Sequence, residues 1–298
     1  MRPGFHLVHK PVGATSFSLV RELMDAIAAR GLSKQLPVCH GGALDPFAEG
    51  LLLLLVGQAT RLMDLVHAAP KRYLATVGWG VETDNGDPTG RVVFRGAPDA
   101  LEPALLDVAL ARFIGWSAQV PPPTSNKRID GERAYLKAQR GESFELPPSR
   151  VLLCQARWVS HTLPAQSTLE LECGGGFYVR SLARDLGRAL GCGAHLSTLR
   201  RTAIGPWSDP PAEDHPWIHG RGLLPWLPVR ALDEGEVRAL EQGRAIEAGR
   251  VAAPDWPLPA GFDPPRAPIR AFDGEALVAL LEPRDGRLAA TMTLRGGL

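Results

Sequence analysis

The sequence predicts a mixed α/β protein, and three patterns carry that expectation. Apolar residues alternate at a period of two through Tyr73, Ala75, Val77 and Trp79, and again through Leu169, Leu171 and Cys173, which is how a strand with one buried face reads. Leu51 to Val56 is an unbroken apolar run of strand length, fitting a strand covered on both faces. Three further segments, Phe17 to Ile27, Glu102 to Ile114 and Phe177 to Leu190, repeat apolar residues every three or four positions, the spacing of one helix face. A length of 298 residues allows one large domain or two ordinary ones.

His6 to Lys10 reads as a short strand, followed by a turn from Lys10 to Ser16 that ends in a helix N-cap. Phe17, Val20, Leu23, Met24 and Ile27 then share a face, and Gly31 is placed to end the helix. The turn Thr83 to Asp87 is expected to join the strand at Tyr73 to a partner at Arg91 to Arg95, with Asp84 as a turn former. In the next helix Leu105, Leu106, Ala109, Leu110 and Phe113 face inward. Gln119 to Pro123 breaks it and opens a long basic loop, TSNKRIDGERAYLKAQRG. Gly174 to Gly176 stops a strand at Cys173 and leads into a helix with Val179, Leu182, Ala183, Leu186, Ala189 and Leu190 inward. Arg184 and Arg188 read as a solvated stripe, whereas Arg180 stands in the first turn beside the glycines, where backbone can approach a ligand. Ser208 to Gly222 looks like a linker. Beyond it lie a short helix, Glu234 to Leu240, and two strand-like runs, Pro268 to Phe272 and Ala276 to Leu281.

Composition narrows the function classes. Apolar residues make up 45% and charged residues 22%, the balance of a soluble globular protein. No apolar run reaches bilayer length, and MRPGFHLVHK has no secretory core, so the expectation is a cytoplasmic protein with no membrane contact. Four cysteines without C-x-x-C spacing predict free thiols, and Pro216 between His215 and His219 argues against a helical metal pair. A formal charge of +1 hides a segregation. Residues 121–205 hold 12 Lys or Arg against 7 Asp or Glu, a balance of +5 that leaves −4 for the rest. Basic charge is concentrated where a polyanion could be held.

The chain is organised around HGGALDPFAEGLLLLLVGQATRL, His40 to Leu62. Gly41 and Gly42 admit close backbone approach, and Pro46 pushes Asp45 toward an extended conformation, so one carboxylate sits on a stiff turn ahead of a buried strand. By itself Asp-Pro is ordinary turn chemistry. The string H-x-G-A-L-D-P-x-A-x-G with a following strand and G-x-A-T-R-L resembles the tRNA pseudouridine synthase B family, departing from it at Cys39 and Gly41. Lys10-Pro11-x-Gly13-x-Thr15-Ser16, the block Gly176-x-Tyr178-Val179-Arg180-Ser181-Leu182 and the block Cys192-Gly193-Ala194-His195 through Leu199-Arg200-Arg201-Thr202 extend the resemblance over roughly residues 5–205. In the basic loop Gln119, Pro121, Pro122, Ser125, Gly131, Tyr135 and Gly141 fit the pattern, while Thr124, Asn126 and Arg128 replace its tyrosine, alanine and lysine.

The resemblance implies a catalytic domain over residues 1–222, built on a largely antiparallel sheet, and a small PUA-like β-rich RNA-binding domain over 223–298. It implies isomerisation of uridine to pseudouridine in tRNA, at uridine 55 of the TΨC stem-loop, by a monomer needing neither cofactor nor metal. Asp45 would be the nucleophile, Arg180 its ion-pair partner, and Tyr73 and Leu199 the walls around a flipped uracil. Tyr178 is expected to contact the nucleotide and His40 to fill the gap that the base leaves. Lys10, Lys127, Arg128, Arg200 and Arg201 are candidate RNA-backbone contacts. Two other readings stand beside this one: an RNA-binding chaperone that folds tRNA without catalysis, and a hydrolase using Asp45 with water, weakened by the lack of a matching second carboxylate.

Overall fold

The leucine run becomes the interior of a ten-stranded sheet in the computed structural model, which describes residues 3–31, 36–125, 127–129, 131–264 and 267–298. The chain begins with β1 (Gly4–Lys10), α1 (Ser16–Ala29), β2 (Val38–His40) and β3 (Glu49–Val56). Every residue of β3 from Leu51 to Val56 is at most 1% exposed. Leu51, Leu53 and Leu55 pack with Phe5 and Leu7 on one face, and Leu52 and Leu54 pack with Leu19 and Val20 of α1 on the other. Thr15 caps α1 by accepting the Ser18 N–H at 3.0 Å. The buried stripe of this helix runs through Ser16, Leu19, Val20 and Ile27. Phe17 and Met24, expected inside, are 60% and 42% exposed, because the stripe is offset toward Leu19.

Next come α2 (Met63–Ala68), β4 (Lys71–Trp79), β5 (Val81–Thr83) and β6 (Val92–Arg95). The hairpin turn falls as expected, but it joins β5 to β6; β4 ends before Gly80 and pairs with two later strands. α3 (Pro103–Ala111) precedes β7 (Gly115–Gln119), the short pair β8 (Arg128–Ile129) and β9 (Glu132–Arg133), and α4 (Ala134–Gln139). Leu105 of α3 is 49% exposed rather than inward, since Leu106, Ala109 and Leu110 supply its buried face. β10 (Ser149–Thr162), β11 (Gln166–Cys173), α5 (Val179–Ala189), β12 (Ala194–Ile204), β13 (Trp207–Ser208) and β14 (Trp217–Ile218) complete the large sheet.

Its strand order is β14-β1-β3-β12-β4-β11-β10-β7, with β13 on β12 and β2 on β3. β3 and β12 run parallel, and the other pairings are antiparallel. The largely antiparallel mixed sheet is therefore what the chain builds. Gly50 marks the crossing of β3 and β12: its φ is +106°, and a Cβ there would lie 2.3 Å from the Arg201 carbonyl oxygen.

The rest of the chain is β-rich. β15 (Val229–Ala231), α6 (Glu234–Glu241), β16 (Ile246–Glu247), β17 (Ile269–Asp273), β18 (Ala276–Arg284) and β19 (Arg287–Thr293) form a five-stranded sheet ordered β15-β17-β18-β19-β16. Asp233 and Glu236 close a capping box on α6. This sheet has a small core of its own around Leu240, Ile269 and Leu281, and it also shares the larger one: Phe272, Leu277 and Leu294 cluster with Phe5, Leu51 and Leu53. No helix among the described residues is long and apolar enough to cross a membrane.

Candidate active site

The loop between β2 and β3 is held from both sides. On one side Lys10, 0% exposed, donates from Nζ to the carbonyls of Pro11, Ala14 and Ala48 at 2.9, 2.7 and 2.7 Å. Ser16 Oγ accepts the Leu44 N–H at 2.9 Å, and the Gly13 N–H donates to the Pro46 carbonyl at 2.7 Å. From the other side Arg201, 1% exposed, donates to the carbonyls of Leu51 and Gly42 at 2.8 and 2.9 Å. Buried cations need such acceptors, and here they are carbonyls of this loop, of the β1–α1 turn and of β3. Asp45 lies between the two clamps.

α5 delivers the counter-charge. Arg180 stands in the first turn of this helix and is 4% exposed. Its Nε and Nη2 meet the two Asp45 carboxylate oxygens at 2.8 and 2.9 Å, a bidentate pair. The remaining donor, Nη1, reaches the Asn85 carbonyl at 2.9 Å and the Thr124 hydroxyl at 2.6 Å, with Asp87 at 3.9 Å. Burial pushes the Asp45 carboxyl above the ordinary carboxylate range; Arg180 opposes that rise and the like charge of Asp87 adds to it. The Asp45 side chain remains 31% exposed, open toward a cleft.

That cleft has a volume of about 680 Å³ and is lined by Asp45, Tyr73, Tyr178, Arg180, Leu199 and Arg201, among others. Strand pairing explains the grouping, since Tyr73 on β4 is the cross-strand partner of Arg201 on β12, two positions from Leu199. Burial pushes the Tyr73 phenol up to about 12, with Arg201 pulling the other way. Gln119 fixes the backbone of Tyr178 by accepting its N–H at 2.8 Å and donating to its carbonyl at 3.0 Å, which sets the entry into α5. Lys71, also lining the cleft, donates to the carbonyls of Val66, His67 and Ala69 at 3.1, 2.7 and 2.7 Å, and burial lowers its pKa to about 7. Among the described residues no cluster of three His, Cys, Asp or Glu is placed to hold a metal.

The sequence of the whole site has clear relatives. The family described as "TruB family pseudouridylate synthase (N terminal domain)" matches residues 30–179, and "tRNA pseudouridylate synthase B C-terminal domain" matches 180–215. The tRNA pseudouridine synthase B of Rhodopseudomonas palustris is 38% identical over 298 aligned positions, covering 96% of this chain and 79% of that one. The chain belongs to the TruB family of pseudouridylate synthases. The Bordetella avium protein of the same name is 41% identical over 210 positions, covering 69% of this chain and 82% of its own. Among solved structures, one titled "Crystal Structure of a Cbf5-Nop10-Gar1 Complex" shares the fold with a TM-score of 0.67 at 20% identity, covering 98% of this chain and 84% of that one. The second family match, at 180–215, spans α5 and β12 and so lies outside the five-stranded sheet.

The structure gathers Asp45, Tyr73, Tyr178, Arg180, Leu199 and Arg201 around one cavity and places His40, Lys10, Lys127, Arg128 and Arg200 outside its lining. His40 ends β2, half-buried, with Nδ1 unpaired among the described residues; His67, not His40, lines the cleft. Lys127 is half-buried, and Arg128 is exposed with Nη1 on the Gly131 carbonyl at 3.0 Å. Arg200 pairs with Asp209 at 2.7 Å, a carboxylate that also meets His9 at 3.0 Å. Lys10 and Arg201 need correction as backbone-phosphate contacts: both cations are buried and their donors are taken up by backbone carbonyls, Ala48 and Gly42 of the Asp45 loop among them, so they brace that turn instead. Arg188, read as solvated, grips Glu82 at 2.6 Å. Asn126 and Asp130 of the basic loop fall outside the described residues. Sequence reasoning missed Asn85, Asp87 and the Thr124 hydroxyl as holders of Arg180. The turn letters at 83–87 and the loss of an aromatic at 124 were visible, but neither pointed to a guanidinium.

Proposed function

We propose that the chain isomerises uridine to pseudouridine in tRNA, at uridine 55 of the TΨC arm, with Asp45 as the nucleophile. The observation that carries this reading is the Asp45 carboxylate, gripped at 2.8 and 2.9 Å by Arg180 on a doubly clamped loop, facing a cleft that Tyr73 and Leu199 also line. Relatives named tRNA pseudouridine synthase B support the substrate class.

The reaction breaks the N1–C1′ bond, turns the ring and makes a C5–C1′ bond. C5 loses a proton and N1 gains one, so the product has the atoms of the substrate. A carboxylate opens this route by forming a covalent adduct whose bond to the carboxylate is broken as the C5–C1′ bond forms, for an adduct at C1′, or by elimination afterwards, for an adduct at C6. Attack falls either on C1′, expelling uracil, or on C6 of the base, and both demand an ionised Asp45. Arg180 offsets part of the burial cost of that charge. Tyr73, with its pKa near 12, is a neutral phenol around pH 7, suited to stacking and hydrogen bonding rather than to taking a proton.

The target base must leave its stack, at a cost of roughly a few kcal/mol. We assign His40 to the vacated position, and Lys127, Arg128 and Arg200 to phosphates. Residues 223–298 would act as a PUA-like RNA-binding unit, and the enzyme would work as a monomer. Incubating the purified chain with unmodified tRNA transcript and mapping pseudouridine by base-specific chemistry tests the reading. Product at position 55 is expected. Product at another uridine alone would overturn the site assignment, and no product would overturn the activity.

A further inference from the structure

The cleft is larger than the chemistry at Asp45 requires, and its far end has a composition of its own. Its wall crosses the sheet from Leu199 and Arg201 on β12, through Tyr73 on β4, to Arg150 and Leu152 on β10 and Trp116 on β7. The strand order β12-β4-β11-β10-β7 puts Trp116 three strands beyond Tyr73, a separation of about 14 Å at the usual inter-strand spacing. Trp116 therefore stands on a different strand of the cleft wall from the residues that surround Asp45.

Trp116 is 49% exposed, and the Arg150 guanidinium carbon stands 4.3 Å from the centre of its ring. Among the described residues Arg150 has no carboxylate within ion-pair distance, so this cation is held by an aromatic face and otherwise open to solvent. Phe262, from the segment before β17, lines the same end and packs against the Gly174 turn, where a Cβ would lie 3.4 Å from Phe262 Cε2. An exposed indole, a stacked guanidinium and a second aromatic ring, continuous with a nucleotide site, match the way single-stranded nucleic acid is held: bases on π-faces and phosphates on cations. Asp64 and Asp263 also line the cleft, so Arg150, not a net positive field, fixes where a phosphate would sit.

We propose that Trp116, Arg150 and Phe262 form a second base-binding position for an unpaired nucleobase of the same RNA strand as the target uridine. Resting on the isomerase reading above, it gives the cleft two occupants: the reacting uridine at Asp45 and a non-reacting base stacked on Trp116, its phosphate on Arg150. The site selects RNA in which a loop nucleotide near the target is free to stack.

The test uses the full chain as Asp45→Asn, with a tRNA arm stem-loop carrying the fluorescent base 2-aminopurine at each unpaired loop position in turn. One position other than the target should be quenched on binding; Trp116→Ala should abolish that quenching and Trp116→Phe should keep most of it. With Asp45 intact, Trp116→Ala should raise KM about 5- to 150-fold, the range of one lost base stack, with the loss falling on KM rather than kcat. Arg150→Ala should lower affinity and flatten its salt dependence by about one charge. Quenching that survives Trp116→Ala, an unchanged KM, or an RNA affinity unchanged in Arg150→Ala would overturn the second position while leaving the isomerase reading intact. A parent chain that makes no pseudouridine would overturn both.

Discussion

Asp45 carries a charge that its surroundings both penalise and protect. Burial raises its pKa, Arg180 lowers it, and Asp87 raises it again. If the reaction needs the carboxylate, kcat/KM rises with pH along a limb set by this group, above the ordinary carboxylate range. Removing the repelling neighbour in Asp87→Asn should move that limb to lower pH. Removing the attracting one in Arg180→Gln should move it to higher pH and lower the plateau. Shifts in the same direction, or none, would detach the limb from Asp45. The pairing of Asp45 with Arg180 was legible because each lies in a fixed-spacing block. Their supporting cast was not: Thr124 and Asn85 reach Arg180 from 56 and 95 positions away, and contacts of that kind leave no local periodicity.

The loop that carries Asp45 is an element made rigid by side chains rather than by its own hydrogen-bond ladder. Lys10 and Ser16 hold it from the ends of the β1–α1 turn and Arg201 from β12, so two separate stretches of chain converge on it. Lys10→Met would leave three carbonyls short of a donor. The expected result is a loss of about 1–3 kcal/mol in stability and a fall in kcat, with tRNA affinity and its salt slope unchanged. A drop in affinity with a shallower salt slope would return Lys10 to a phosphate. A lysine in a glycine-bearing turn reads as surface, and only the closure of β1 on β3 buries it. β12 was legible as a motif but not as a strand, because Arg200 and Arg201 interrupt its apolar alternation; Arg201 points inward only through its contacts with the loop. By contrast β3 was plain from composition alone, since six consecutive large apolar residues leave few other fates.

At the scale of the molecule, the two sheets share more than a linker. Phe272, Leu277, Leu280 and Leu294 complete the cluster built on Phe5, Leu51, Leu53 and Leu55. Arg270, 0% exposed, ties the connection by donating to the carbonyls of Leu227, Arg221 and Leu223 at 3.1, 2.9 and 3.0 Å. A chain ending at Gly222 would uncover that cluster, including one face of β3. Thermal unfolding followed by circular dichroism should show a much lower midpoint or a broadened transition than in the full chain; an equal midpoint would mean that the large sheet is stable alone. The sequence announced a β-rich end through Pro268 to Phe272 and Ala276 to Leu281, yet β15, β16 and β19 were not seen, being short or polar and defined by their neighbours.

The clamped loop, the helix that supplies Arg180 and the large sheet together hold one carboxylate at a cleft. The most direct measurement is pseudouridine formation and tRNA affinity for Asp45→Asn, side by side with the parent chain. No detectable product and a Kd within about tenfold of the parent are expected, because binding is spread over many contacts. Product formed at a rate near that of the parent would contradict Asp45 as the nucleophile.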